Sequence, residues 1–207
     1  MKRLMYSMGL ALLLFSCQPE EVEPNPNASS GPSTYFISFD LDGEEVTEEN
    51  GVGGYQMGYS NGSGVDAANN AISVEPGSGF YNFQNEDEPN SGVSFMNNNF
   101  VLSEYSSDNA AALASIFTEG THNYSLSGDP SVGVQFDYSE NGILWSSDEM
   151  VQPTSSIFNV KESLGSTNQL GEAQREVKGT FNCKIFNESG DSKIVTNGEF
   201  YLIFTAP

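Results

Sequence analysis

Gly58-Tyr59-Ser60-Asn61-Gly62 satisfies the G-x-S-x-G pattern of a nucleophile elbow, and Asp66 and His122 follow it in the acid-then-histidine order of α/β-hydrolases. An elbow needs a strand, a sharp turn and a helix. Glycines and asparagines follow here instead, and among 21 glycines the pattern arises by chance, so no catalytic residue is assigned. His122 is the single histidine and cannot build a multi-histidine zinc site, and Cys183 is not spaced to complete one. A surface position beside a turn is expected for His122. Carboxylates are plentiful, 28 in all. A glycosidase would set two of them about 5–9 Å apart in a cleft, but no pair is singled out and basic residues are missing from most of the chain. Calcium, which takes carboxylate and carbonyl oxygens, is the one cofactor the acids would suit. The residues to watch are Asp40 and Asp42 on one strand face, Glu44 beside them, and the loop Glu86-Asp87-Glu88. Asp40-Leu41-Asp42-Gly43 is not an EF-hand loop, because its glycine comes two places early. Solvated charge is the expectation at these acids, and no metal ligand is assigned.

The charge itself excludes one class of partner. Seven basic residues against 28 acidic give a net −21, and no Lys or Arg lies between residues 4 and 160. Such a surface repels phosphate backbones, so nucleic acid is not a partner. It also repels itself, and salt relieves that repulsion.

The N-terminal residues address the chain. Lys2 and Arg3 precede an apolar run, Met5 to Phe15, of 11 residues. Spanning a bilayer takes roughly 20, so the run reads as a signal peptide. It closes in Leu14-Phe15-Ser16-Cys17, which resembles the lipobox of bacterial lipoproteins; Leu14 and Ser16 fit, and Phe15 is bulkier than the usual residue. The resemblance implies cleavage before Cys17, acyl chains on its thiol, and a membrane as partner through that anchor. Loss of Lys2 and Arg3 with residues 1–16 takes the net charge from −21 to −23. Gln18 is not the aspartate of an inner-membrane retention signal. The cluster Glu20-Glu21-Val22-Glu23 resembles the surface-export signal of Bacteroidota lipoproteins, which implies an outer-membrane position facing the cell exterior; read as a solvated acidic tether, it leaves a periplasm-facing position open. Residues 17–33, with four prolines and no aromatic residue, read as a flexible tether.

The remainder, 34–207, suits one core and shows a period of two. Tyr35, Ile37, Phe39 and Leu41 alternate with Phe36, Ser38, Asp40 and Asp42 in a first strand ended by Asp42-Gly43. Val52 to Tyr59 reads as a glycine-rich strand in an otherwise obscure stretch. Residues 71–75 and 79–84 flank Pro76-Gly77, a turn signal. Asn85 to Ser91 is a polar loop, and Val93 to Leu102 a strand. Ser107 or Asp108 caps a short helix carrying Leu113, Ile116 and Phe117 on one face, stopped at Gly120. Val132, Val134, Phe136 and Tyr138 enter a type I′ hairpin at Asn141-Gly142, which pairs Tyr138 with Trp145 and turns the tryptophan toward the core. A second hairpin joins 177–186 to 193–204 across a turn at 187–191. Cys183, between Phe181 and Ile185 on one strand face, is a buried and inert thiol. The fold class is all-β: an antiparallel sandwich or partly closed barrel with one short helix.

Val177-Lys178-Gly179-Thr180-Phe181, Ser189-Gly190 and Ile194 to Phe200 (IVTNGEF) resemble the closing hairpin of small Bacteroidota lipoproteins of unknown function. Phe36 to Val46 and Phe117-Thr118-Glu119-Gly120 are similar in order and spacing. The resemblance implies the β-sandwich and the anchor, and it brings no activity or functional residue. The function expected is a non-enzymatic, lipid-anchored binding or adhesion module for a glycan or protein ligand. The alternative is a carbohydrate-binding accessory lipoprotein using some of nine tyrosines and Trp145; a secreted hydrolase comes last.

Overall fold

Alternating apolar and polar side chains cannot bury a helical stripe, but they bury one face of a sheet. The computed structural model describes residues 35–66, 70–82, 84–85, 88–101, 110–127 and 132–205. The anchor at Cys17, the tether and most of the 86–88 loop lie outside them. In chain order the elements are β1 (Phe36–Leu41), β2 (Glu44–Glu49), β3 (Tyr55–Asp66), β4 (Ala71–Asn82), β5 (Asn90–Val101) and α1 (Ala110–Ile116). There follow β6 (Gly120–His122), β7 (Gly133–Glu140), β8 (Ile143–Ser146), β9 (Ile157–Thr167), β10 (Ala173–Phe186) and β11 (Ser192–Thr205). The fold is all-β, with eleven strands in antiparallel ladders and one short helix.

The strands make one sheet in the order β2-β1-β11-β10-β8-β7-β5-β4-β3, with β9 on β10 and β6 on β9. The long strand β10 is the branch point. Its residues 173–182 pair with β9, while Phe186 pairs with Ser146 of β8. The sheet curls into a half-barrel, so β11 comes into contact with β3 and β4. This is the partly closed barrel of the sequence expectation. Its open side lies between β2 and β3, the two ends of the main strand order.

Inward side chains from opposite walls fill the interior. Phe39 of β1 meets Phe136 and Tyr138 of β7 edge-on at 5.2 and 5.7 Å. Phe95 of β5 meets Phe117, Phe158 and Phe204 at 4.7, 5.5 and 5.4 Å. Such pairs add about 0.5–1.5 kcal/mol each beyond the area they bury. The helix is too short to stand alone, and it is held by buried Leu113 and Ile116, with Phe117 just beyond. Its candidate caps, Ser107 and Asp108, lie outside the described residues. Two-residue turns with left-handed backbone close the hairpins at Asp42-Gly43 (φ 52° and 92°) and Asn141-Gly142 (53° and 75°).

One reading changes, and two positions gain detail. Pro76-Gly77 is not a turn, because β4 runs through it with Pro76 opposite Asn61. Pro76 has no N–H to give, and the paired positions of the β4–β5 ladder pass from Val74–Asn97 to Gly77–Ser94 without it. The acidic segment Glu44–Glu49 is a strand, concealed because only Val46 and Glu48 turn inward. His122 is half-buried on β6; its ring packs edge-on to Phe95 at 5.5 Å, and its Nε2 is 2.7 Å from the Thr118 carbonyl.

Candidate functional site

The residues singled out for chemistry do not converge. Ser60 lies inside the strand β3, which runs on unbroken to Asp66, so no elbow forms at it. Asp40 accepts a hydrogen bond from the Asn197 amide at 2.7 Å, and Asp42 from the Ile194 backbone N–H at 2.8 Å. Among the described residues no three His, Cys, Asp or Glu side chains are grouped to hold a metal. Glu88 accepts from the Asn85 amide at 3.1 Å, and its neighbours Glu86 and Asp87 lie outside the described residues. Cys183 is buried, and burial pushes its thiol up to about 12.

Trp145 cannot be the sugar platform considered for it. It is 8 % exposed, paired with Tyr138, and covered by the Lys193 ammonium 4.9 Å from its ring centre. Glu140 holds that lysine at 2.7 Å.

A concave surface forms elsewhere, on the outer face of β3, β4, β5 and β7. Register sets Ser60, Gly77, Ser94 and Gln135 side by side in one row, and Gly58, Gly79, Gly92 and Asp137 in the next. Glycine repeats where a large outward side chain would stand on an ordinary sheet, so the face sinks. Neighbouring side chains lie down in the space. The Tyr81 ring covers Gly58, whose Cβ would sit 2.9 Å from it; the Ser60 and Ser94 hydroxyls lean over Gly77. Gly79 is required by close approach, since a Cβ there would meet the Ser91 carbonyl oxygen at 2.4 Å.

The two rows line a shallow trough of about 230 Å³ that reaches Ser94, Asp137 and Leu144, and a separate, open hollow of about 790 Å³ lies farther along the same strands beside Glu75, Gln135 and Asp148. Tyr81 borders the trough and is 48 % exposed. The acids repel one another. Burial, then Asp137 and Asp148, holds the Glu75 carboxyl above its ordinary range. Burial likewise lifts Asp137, opposed by the Ser146 and Gln135 side chains; the Gln135 amide lies 3.0 Å from both its oxygens. The Ser146 hydroxyl donates to Asp148 at 2.6 Å. Serine hydroxyls, the Asp137 carboxylate, bare glycine backbone and one partly exposed ring line the trough.

Sequence reading missed this surface. Its only early signal is the recurrence of Gly and Ser at alternate positions from Gly58 through Gly64 and again from Gly77 to Gly79. That pattern reads as a weak strand until the register of three strands is known. Comparisons with protein-family models, with curated proteins and with solved structures find no match.

Proposed function

We propose that this chain is a lipid-anchored, surface-displayed binding module that takes a neutral carbohydrate in the trough. The observation that carries the reading is the Tyr81 ring lying over Gly58 at the border of a floor of serine hydroxyls and glycine backbone. A sugar ring offers an apolar face to stack on an aromatic ring and hydroxyls that donate to carboxylates and serine oxygens. Small-ligand sites combine such surface with a few placed polar groups. The net charge of −21 disfavours an anionic glycan. Anchoring through Cys17 at the outer membrane, facing outward, would present the trough to extracellular polymers; the leader, the lipobox pattern and the acidic cluster support that address, as does the likeness to small Bacteroidota lipoproteins.

The test is an array of neutral and acidic oligosaccharides probed with the full chain. Binding to neutral glycans, weakened at least tenfold by Tyr81→Ala and unchanged by Tyr59→Ala, is the expected result. Equal binding by the Tyr81 variant would remove the trough from the account, and a protein-adhesion module would then be the better reading. Cleavage of a bound oligosaccharide, lost in Asp137→Asn, would move the chain to the hydrolases. The anchor has its own assay: an alkyne fatty acid fed to expressing cells should label the chain, and Cys17→Ser should abolish the label.

A further inference from the structure

Among the described residues Glu48 is the one acid that the fold carries wholly inside. It is 0 % exposed, on the edge strand β2, next in register to Ile37. Its Oε2 accepts from the Ser91 backbone N–H at 3.0 Å and the Ser91 hydroxyl at 2.5 Å, while Oε1 has no hydrogen-bond partner. No cation compensates it. Among the described residues the ion pairs are Lys178–Glu162 and Lys193–Glu140. The titratable groups that face Glu48 are the Tyr55 hydroxyl of β3 and the Tyr138 hydroxyl of β7. Beyond them stand Glu88 behind Tyr55, and Glu140 and Lys193 beside Tyr138.

The position gives the group leverage. Strand β2 has a backbone ladder on one side only, to β1. Its inward side chains are Val46 and Glu48, and Ser91 belongs to β5, on the far wall of the half-barrel. The Glu48–Ser91 contact therefore ties the free end of the sheet across the open side. A neutral carboxyl suits this apolar interior. An ionised one leaves a charge there with two donors on one oxygen and nothing on the other, which burial strongly disfavours.

We propose that Glu48 is a protonation-controlled latch: neutral, it holds β2 against β5 across the open side of the half-barrel; ionised, it lets β2 swing away and opens the interior at that seam. Burial pushes this carboxyl up to about 8, so the change falls within a range that an exposed surface protein can meet.

The experiment is amide hydrogen exchange on the full chain between pH 6 and pH 9, corrected for the intrinsic rise of exchange with pH. The β10–β11 amides serve as the internal reference. The β2 amides of the wild type should lose protection at least tenfold relative to that reference as pH rises, and Glu48→Gln should keep β2 protected throughout. Ser91→Ala, which removes the hydroxyl that favours the ionised form, should move the wild-type midpoint to higher pH and tests the latch if Glu48→Gln folds poorly. Constant protection of β2 in the wild type, an equal loss in Glu48→Gln, or an unmoved midpoint in Ser91→Ala would overturn the proposal.

Discussion

Cys183 and Glu48 are both buried on strands, and their chemistry follows from what surrounds them. Burial holds the Cys183 thiol protonated, so a thiol reagent should not label it at pH 8 until the chain is unfolded. Labelling at the rate of a free thiol in native conditions would contradict that. Glu48 bears on stability. Its folded-state value lies above its unfolded one, so the folded chain holds a proton that the unfolded chain releases. Stability is therefore full below the ordinary carboxylate range and declines as pH rises toward about 8. Glu75 and Asp137 are shifted in the same direction and add to the slope. Urea midpoints across pH 5–8 should fall with pH in the wild type and fall less in Glu48→Gln; parallel curves would sink the assignment. The burial of Cys183 was legible in the alternation Phe181, Cys183, Ile185. That of Glu48 was not, because Glu44–Glu49 reads as solvated charge. The structure places it on the inner face two residues after Val46.

At the scale of elements, local chemistry set the hairpins and long-range pairing set the trough. Asn141-Gly142 dictates its own geometry within two residues, so that hairpin could be read directly, whereas Asp42-Gly43 showed only where the first strand ends. Strands β3 and β4 could not, since their glycines carry no apolar pattern, and a proline with a glycine after it imitates a turn. Gly79 and Gly92 face each other across β4 and β5, and they make a paired test. A methyl at Gly79 would collide with the Ser91 carbonyl and with the Gly92 Cα at 2.7 Å, whereas one at Gly92 meets its nearest atom at 3.5 Å. Gly79→Ala should cost about 1–3 kcal/mol by forcing the strands apart. Gly92→Ala should stay within about 0.5 kcal/mol. Equal costs in denaturant unfolding would mean that the close approach at Gly79 is not a constraint.

For the whole molecule, the governing quantities are a net charge of −21 and a sheet that curls without closing. The charge was plain in the sequence, and it predicts that salt stabilises the chain by screening. Calcium need add nothing, because the Asp40 and Asp42 carboxylates are already engaged by Asn197 and Ile194. Melting temperature should rise equally in calcium chloride and sodium chloride at matched ionic strength, and a calcium-specific rise would show a site that binds the folded state. Strand order was the least legible feature. The placement of β1 beside β11, and of β3 at the opposite end from β2, depends on contacts far apart in sequence. That order is also what brings the outer faces of β3, β4, β5 and β7 into one surface.

The trough as ligand site is the claim on which the functional account stands. Its most direct test is chemical-shift mapping of the full chain titrated with the best-bound neutral oligosaccharide. The account predicts perturbation of the Ser60, Gly79, Tyr81 and Ser94 amides, with the β10–β11 amides unmoved. Shifts confined to the turns at the ends of the strands, or none at saturating sugar, would contradict it.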